Sequence, residues 1–184
     1  MVIVMKNIQR ISALVATLLA ATLLLCACGN NNGSSPELGW KEISNDGVSY
    51  NLYVPDEWIS DVSTGMTSAY VSNADNSNVS MIAFDLKGGE VTTVADYWKT
   101  YEPGLEEIFT DFTYVSEADK TKLGGVDALA YTYTGTVAGT EYKIMQVVAF
   151  KDAQVYIFTY TATADRYDTH FEDVFAILGF FEFN

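Results

Sequence analysis

Thr140-Glu141-Tyr142-Lys143-Ile144-Met145-Gln146-Val147-Val148-Ala149-Phe150-Lys151-Asp152-Ala153-Gln154-Val155-Tyr156-Ile157-Phe158-Thr159-Tyr160-Thr161 reads as two strands about a tight turn at Lys151-Asp152. Tyr142–Phe150 and Val155–Tyr160 are apolar at odd and even positions alike. A strand with one wet face would alternate, so these two are covered on both sides. Strands joined by so short a turn are antiparallel. The pattern therefore requires an antiparallel sheet with something packed against each face.

The neighbouring segments supply more strands. Val126–Thr136 precedes the pair through Ala138-Gly139, and Phe112–Glu117 lies before Gly124-Gly125. Upstream, Val48, Tyr50, Leu52 and Val54 alternate with Ser49, Asn51 and Tyr53 up to Pro55, after the turn signal Asn45-Asp46-Gly47. Met66–Ser72 and Val79–Leu86 are strand-like on either side of a polar turn at Asn73–Asn78, and Lys87-Gly88-Gly89 breaks the chain. Two helices can serve as covers. Val94, Tyr97, Trp98, Tyr101, Leu105, Ile108 and Phe109 recur at steps of three and four behind a Thr93/Asp96 cap, with Pro103-Gly104 expected to kink or split the helix. The second helix, around Asp165–Leu178, is expected to bury Tyr167, Phe171, Val174, Phe175 and Leu178, with a short strand at Phe180–Phe183. The fold class is α+β: a largely antiparallel sheet with helices on both faces, an α/β/α sandwich.

The N-terminus addresses the chain. Lys6 and Arg10 precede 15 almost wholly apolar residues, Ile11–Leu25, followed by Cys26-Ala27-Cys28. That run suits the core of a cleaved signal better than a membrane span, which takes about 20 residues. The pattern looks like a bacterial lipoprotein signal. Cys28, with Leu25 three places before it and small Ala27 directly before it, fits the lipid-bearing position, whereas Cys26 follows bulky Leu25. Residues 1–27 are then the signal peptide, 28–36 a flexible polar tether and 37–184 a single domain. A diacylglycerol on Cys28 would anchor the domain to the cell membrane on its extracytoplasmic side, and the short tether suits a Gram-positive cell. An uncleaved N-terminal anchor gives the same topology.

Removing residues 1–27 leaves eight basic against 24 acidic groups, a net charge near −16. That excludes nucleic acid as a partner and disfavours docking on anionic lipid. Solubility accounts for most of such a coat, and a cationic partner or weak cation binding for the rest.

Chemical motifs are sparse. His170 is the one His, and no thiol can pair with it once Cys28 is acylated. Asn73, Asp75, Ser77 and Asn78 resemble a Ca²⁺ loop only faintly, since the positions requiring Gly and Glu hold Asn78 and Phe84. Glu102, Glu106 and Glu107 fall on a helix face away from the apolar stripe, which suits a solvated surface better than an acid–base pair. No phosphate loop, zinc spacing or nucleophile elbow occurs, so the reading is of a non-enzyme without cofactor or metal. Trp58 and Tyr53, at a strand end beside the polar loop Ser60–Thr67, are the candidate partner or ligand contacts.

This order of elements resembles the PsbP-like family. The residues that carry the likeness are the strand Val48–Val54 with Pro55-Asp56-Glu57-Trp58, the turn Gly124-Gly125-Val126-Asp127-Ala128 ahead of a long strand, and the final helix with its aromatic tail. Cystatin-like and nuclear-transport-factor-like α+β folds share parts of the pattern. The resemblance implies a buried Trp58 and a non-catalytic domain that binds or stabilises a protein partner, with a small-ligand or cation receptor as the alternative. The photosystem and Ran-binding roles of family members are not carried over.

Overall fold

The computed structural model describes residues 36, 38–61, 66–86 and 91–184. The signal, Cys28, most of the tether and Lys87-Gly88-Gly89 lie outside them. Seven strands form one antiparallel sheet: β4 (Ile59–Asp61), β5 (Thr67–Ser72), β6 (Asp75–Asp85), β10 (Gln154–Thr163), β9 (Thr140–Lys151), β8 (Val126–Val137) and β7 (Thr110–Leu123), in that spatial order. Three short strands, β1 (Trp40–Glu42), β2 (Tyr50–Asn51) and β3 (Tyr53–Pro55), cross one face, with β1 paired to β3 and β2 paired to β11 (Glu182–Phe183). Helix α1 spans Val94–Ile108, and α2 spans Phe171–Phe180 after a 3₁₀ turn at Tyr167–His170.

The β9–β10 hairpin sits in the middle, and its two-sided apolar pattern has a direct cause. Trp98 and Leu105 of α1 pack on the face carrying Tyr131, Tyr133, Ile144, Val148, Val155 and Ile157. Val174 and Ile177 of α2, with Tyr50, Leu52, Val54 and Trp58, share a cluster with Met81, Val147, Ala149, Tyr156, Phe158 and Tyr160 on the opposite face. Trp98 stacks flat on Tyr131, centroids 3.7 Å apart. The protein is a sheet-dominated α+β fold.

Several expectations shift. The chain does not break at Pro103; α1 is continuous through it. Proline has no N–H to give the Lys99 carbonyl, but Pro103 is exposed, where water can take that bond, and buried Trp98 and Leu105 hold the helix on both sides. The cap is as read: the Asp96 N–H donates to Thr93 Oγ1 at 3.1 Å, and the Thr93 hydroxyl donates to Asp96 Oδ2 at 2.8 Å. In the second helix the buried residues are Val174 and Ile177, while Phe175 is 71% exposed. The opening turn is 3₁₀, at three residues per turn, so the phase set by Tyr167 does not carry into α2. Val48–Val54 is not one strand of the main sheet but two short pieces with different partners. The supposed polar turn at Asn73–Asn78 narrows to Asn73-Ala74, and β6 starts at Asp75.

All three hairpins β7–β8, β8–β9 and β9–β10 have two-residue turns with positive φ at both positions: Gly124-Gly125, Ala138-Gly139 and Asp152-Ala153. This backbone matches strand twist but strains any residue with a Cβ. Gly124 also lies beneath Phe183, where an added Cβ would come within 2.7 Å of the ring. The third turn has no glycine. Ala153→Gly should therefore stabilise the protein by ~0.5–1 kcal/mol, since the relief of left-handed strain outweighs glycine's added chain entropy. Thermal unfolding should show a rise of about 1–4 °C.

Candidate functional site

Trp58 and Tyr53 are not surface contacts. Trp58 is 1% exposed and Tyr53 7%. The Trp58 N–H closes a turn on the Pro55 carbonyl at 3.0 Å, its carbonyl accepts from Lys41 Nζ, and its ring meets His170 edge-on, centroids 6.2 Å apart. Strand and loop edges do carry partner anchors, but here both side chains are buried.

The polar residues that sequence spacing dismissed converge instead. Asp75 opens β6 facing inward, and its carboxylate accepts four hydrogen bonds. Oδ1 takes the Ser77 hydroxyl at 2.7 Å and the Ser77 N–H at 3.0 Å. Oδ2 takes Arg166 at 2.9 Å and lies 3.0 Å from His170 Nε2. Burial pushes the carboxyl up, but the bonds from Ser77, His170 and Arg166 outweigh it and hold Asp75 well below the usual carboxylate range. The clamp ties the first residue of β6 to the 3₁₀ turn that launches α2. Tyr160 reinforces it by donating to the Tyr167 carbonyl at 2.7 Å. His170, half-buried, is therefore a packing residue. The signal available in sequence was the alternation of Asp75, Ser77, Val79 and Met81 against Asn76, Asn78, Ser80 and Ile82, which makes one strand of what reads as a turn plus a strand.

Two surfaces flank that clamp. The first is a groove of about 390 Å³ over β4, β5 and β6, lined by Asp61, Met66, Ser68, Tyr70, Asn78 and Ser80 among others. It lies on the α1 side of the sheet, beyond the part that α1 covers: Asn78 and Ser80 face the same way as Ile82, which packs with Trp98 and Leu105. The second is the outer flank of α2, where Phe171 and Phe175 are 40% and 71% exposed, one helical turn apart. Asp168 and Glu172, both exposed, lie beside them.

Glu102 does not form an acid–base pair. It accepts the Tyr114 hydroxyl at 2.7 Å, and that hydroxyl accepts Trp98 Nε1 at 2.6 Å, an arrangement that pins α1 to β7. Glu106 and Glu107 are exposed. Among the described residues no three His, Cys, Asp or Glu side chains converge as metal ligands would, and no helix is long and apolar enough to cross a membrane.

No protein-family model matches the sequence, and no curated protein does. Solved structures do match. The solution structure of cyanobacterial PsbP (CyanoP) from Synechocystis superposes with a TM-score of 0.59 at 15% identity, covering 84% of this chain and all of that one (100%). LpqN of Mycobacterium tuberculosis, involved in cell envelope biogenesis, gives 0.56 at 17% identity over 78% of this chain and 89% of its own. The Saccharomyces cerevisiae Ran-binding protein Mog1p gives 0.57 at 11% identity over 78% and 95%. The fold is thus of the PsbP-like type. At these identities the likeness is one of fold.

Proposed function

We propose that this chain is a lipid-anchored, extracytoplasmic, non-catalytic accessory protein whose PsbP-like α/β/α domain, residues 37–184, docks a protein partner. Residues 1–27 serve as the signal and 28–36 as the tether. Cys28 carries the diacylglycerol that holds the domain at the membrane of a Gram-positive cell, with the sequence Leu25-Cys26-Ala27-Cys28 in support. Mog1p, of similar fold, binds the protein Ran, and LpqN serves the cell envelope. Both are consistent with a scaffold that works by binding.

The observation that carries the docking reading is the exposed pair Phe171 and Phe175. Large aromatics dominate the energetics of protein interfaces, and this helix could have met its packing needs without them through Val174 and Ile177. Asp168 and Glu172 beside them, in a chain of net charge −14, select a partner with an apolar socket rimmed by Lys or Arg.

The test is carried out in intact cells. A photocrosslinking side chain at Glu172 should capture one protein. Phe171→Ser/Phe175→Ser should abolish the capture while the protein stays folded, and added salt should weaken it. Cys28→Ser should stop incorporation of a palmitate label and release the protein from the membrane. Capture that survives the double substitution, or crosslinks to lipid alone, would overturn the docking surface. Continued labelling of Cys28→Ser would overturn the anchor.

A further inference from the structure

The floor of the groove is not what a merely solvated strand surface looks like in this protein. Antiparallel sheets often leave a face to water. The exposed stretch of β7 shows the local style for that purpose, with Glu117, Asp119, Lys120 and Lys122. Over β5 and β6 the outward side chains are Ser68, Tyr70, Asn76, Asn78 and Ser80, with no Lys, Arg or Glu among them. Asp61 of β4 brings the one carboxylate to the groove. In a chain of 24 acidic residues, an uncharged floor is a departure from the rest of the surface.

It is also a costly choice. Asn is depleted in strands, and Thr at the same positions would favour the sheet. The register cannot slip to hide these groups, because Asp75, Ser77, Val79 and Met81 on the other face are buried. Residues that work against their own element mark functional positions.

We propose that this groove binds a neutral, polyhydroxylated ligand, a short saccharide segment. Every sugar hydroxyl is at once a donor and an acceptor, and the floor offers hydroxyls and carboxamides to match. Several of these groups are already oriented. Ser68 donates its hydroxyl to the Asp61 carbonyl at 2.9 Å, Tyr70 donates to Asn73 Oδ1 at 3.3 Å, and the Asn78 amide donates to the Asn76 carbonyl at 2.9 Å. Each keeps acceptor capacity for a ligand. Tyr70 adds an amphipathic ring for the carbon skeleton of a sugar.

Other ligand classes fit less well. An anion would need a cation, and Arg166, at the adjoining hollow that shares Asn76, is committed to Asp75. A metal ion would find a single carboxylate. An apolar ligand would strip water from amides and hydroxyls that it cannot satisfy. A second cavity of about 230 Å³ shares Asp61, Met66 and Ser68 with the groove at the sheet edge but opens on the opposite face, against Tyr50, Thr67 and Met81, and is no part of this site.

This inference is independent of partner docking on α2. The full-length protein, held in a non-glycosidic detergent, is titrated with glucose and N-acetylglucosamine oligomers and followed by calorimetry. At least one oligomer should bind, and Asn76→Thr/Asn78→Thr should weaken it tenfold or more while raising the melting temperature. Tyr70→Ala is the second variant, expected to weaken binding tenfold should the Thr pair fail to fold. No binding by any oligomer at millimolar concentration, or binding unchanged in a folded variant, would overturn the proposal. Crosslinking at Glu172 should be unaffected by either variant.

Discussion

Replacing Trp58 by Ala should destabilise the protein by ~3–5 kcal/mol, the cost of emptying a large, fully buried aromatic site. In a domain of this size that lowers the melting temperature by roughly 6–20 °C. Trp58→Phe, which keeps much of the volume, should cost about 1–2 kcal/mol. Equilibrium unfolding in urea measures both. The result separates two roles for the same residue. A partner-contact Trp would lose crosslinked capture with stability intact, whereas Trp58 should lose stability while capture through α2 persists wherever the protein remains folded. Its ring is buried, and Lys41 fastens the turn around it by donating to the carbonyls of Asp56 and Trp58. An unchanged urea midpoint would show that Trp58 does not close this core.

Why the sequence pointed to Trp58 as a contact is instructive. Periodicity reports which side chains of an element face inward, provided that the element is regular and belongs to the main sheet. Tyr142–Phe150 and Val155–Tyr160 meet both conditions, and they predicted two covered faces that Trp98 and Val174 do cover. Val48–Val54 breaks the second condition. It lies across the sheet, where its partners are β1 and β11, so Tyr53 is buried although it falls on the polar phase. Asp165–Leu178 breaks the first, because the 3₁₀ turn resets the phase and leaves Phe175 outside. Thr110–Leu123 is longer than the apolar run Phe112–Glu117, since its bulges and the positive φ of Asp111 and Ala118 allow an edge strand to continue through residues that do not alternate. The groove was hidden for a related reason. Asn76 and Asn78 carry turn propensity, and only the pairing of β6 with β10 and β5 overrides it.

The Asp75 clamp was the least legible part, because it joins residues 91 and 95 positions apart in sequence. Asp75→Ala should cost ~2–3 kcal/mol, the lower end for a broken buried ion pair, because Arg166 remains half-exposed and can return to water. Acid should reveal the same interaction. The folded carboxyl titrates below its unfolded value of 3.8, so its contribution is complete above that pH and is lost as the pH falls through 3.8 toward the folded value. Wild type should therefore lose stability there more steeply than Asp75→Asn, by up to ~1.4 kcal/mol per pH unit, and equal slopes would show that the clamp carries no such energy. His170 lies between Asp75 and Trp58, touching one with Nε2 and the other with its ring edge. Asp173 Oδ2 stands 3.9 Å from its Nδ1 as well, and removal of either Asp75 or Trp58 takes away one restraint on the imidazole. The costs of Asp75→Ala and Trp58→Ala should then fail to add, with a coupling of ~0.5–2 kcal/mol in a double-mutant cycle. Strict additivity would mean that β6 and the β1–β3 layer are held to α2 independently, and that the groove and the α2 flank can be altered one at a time. Coupling would mean that the two surfaces share one support, so that a change at the turn before α2 reaches the strand that floors the groove.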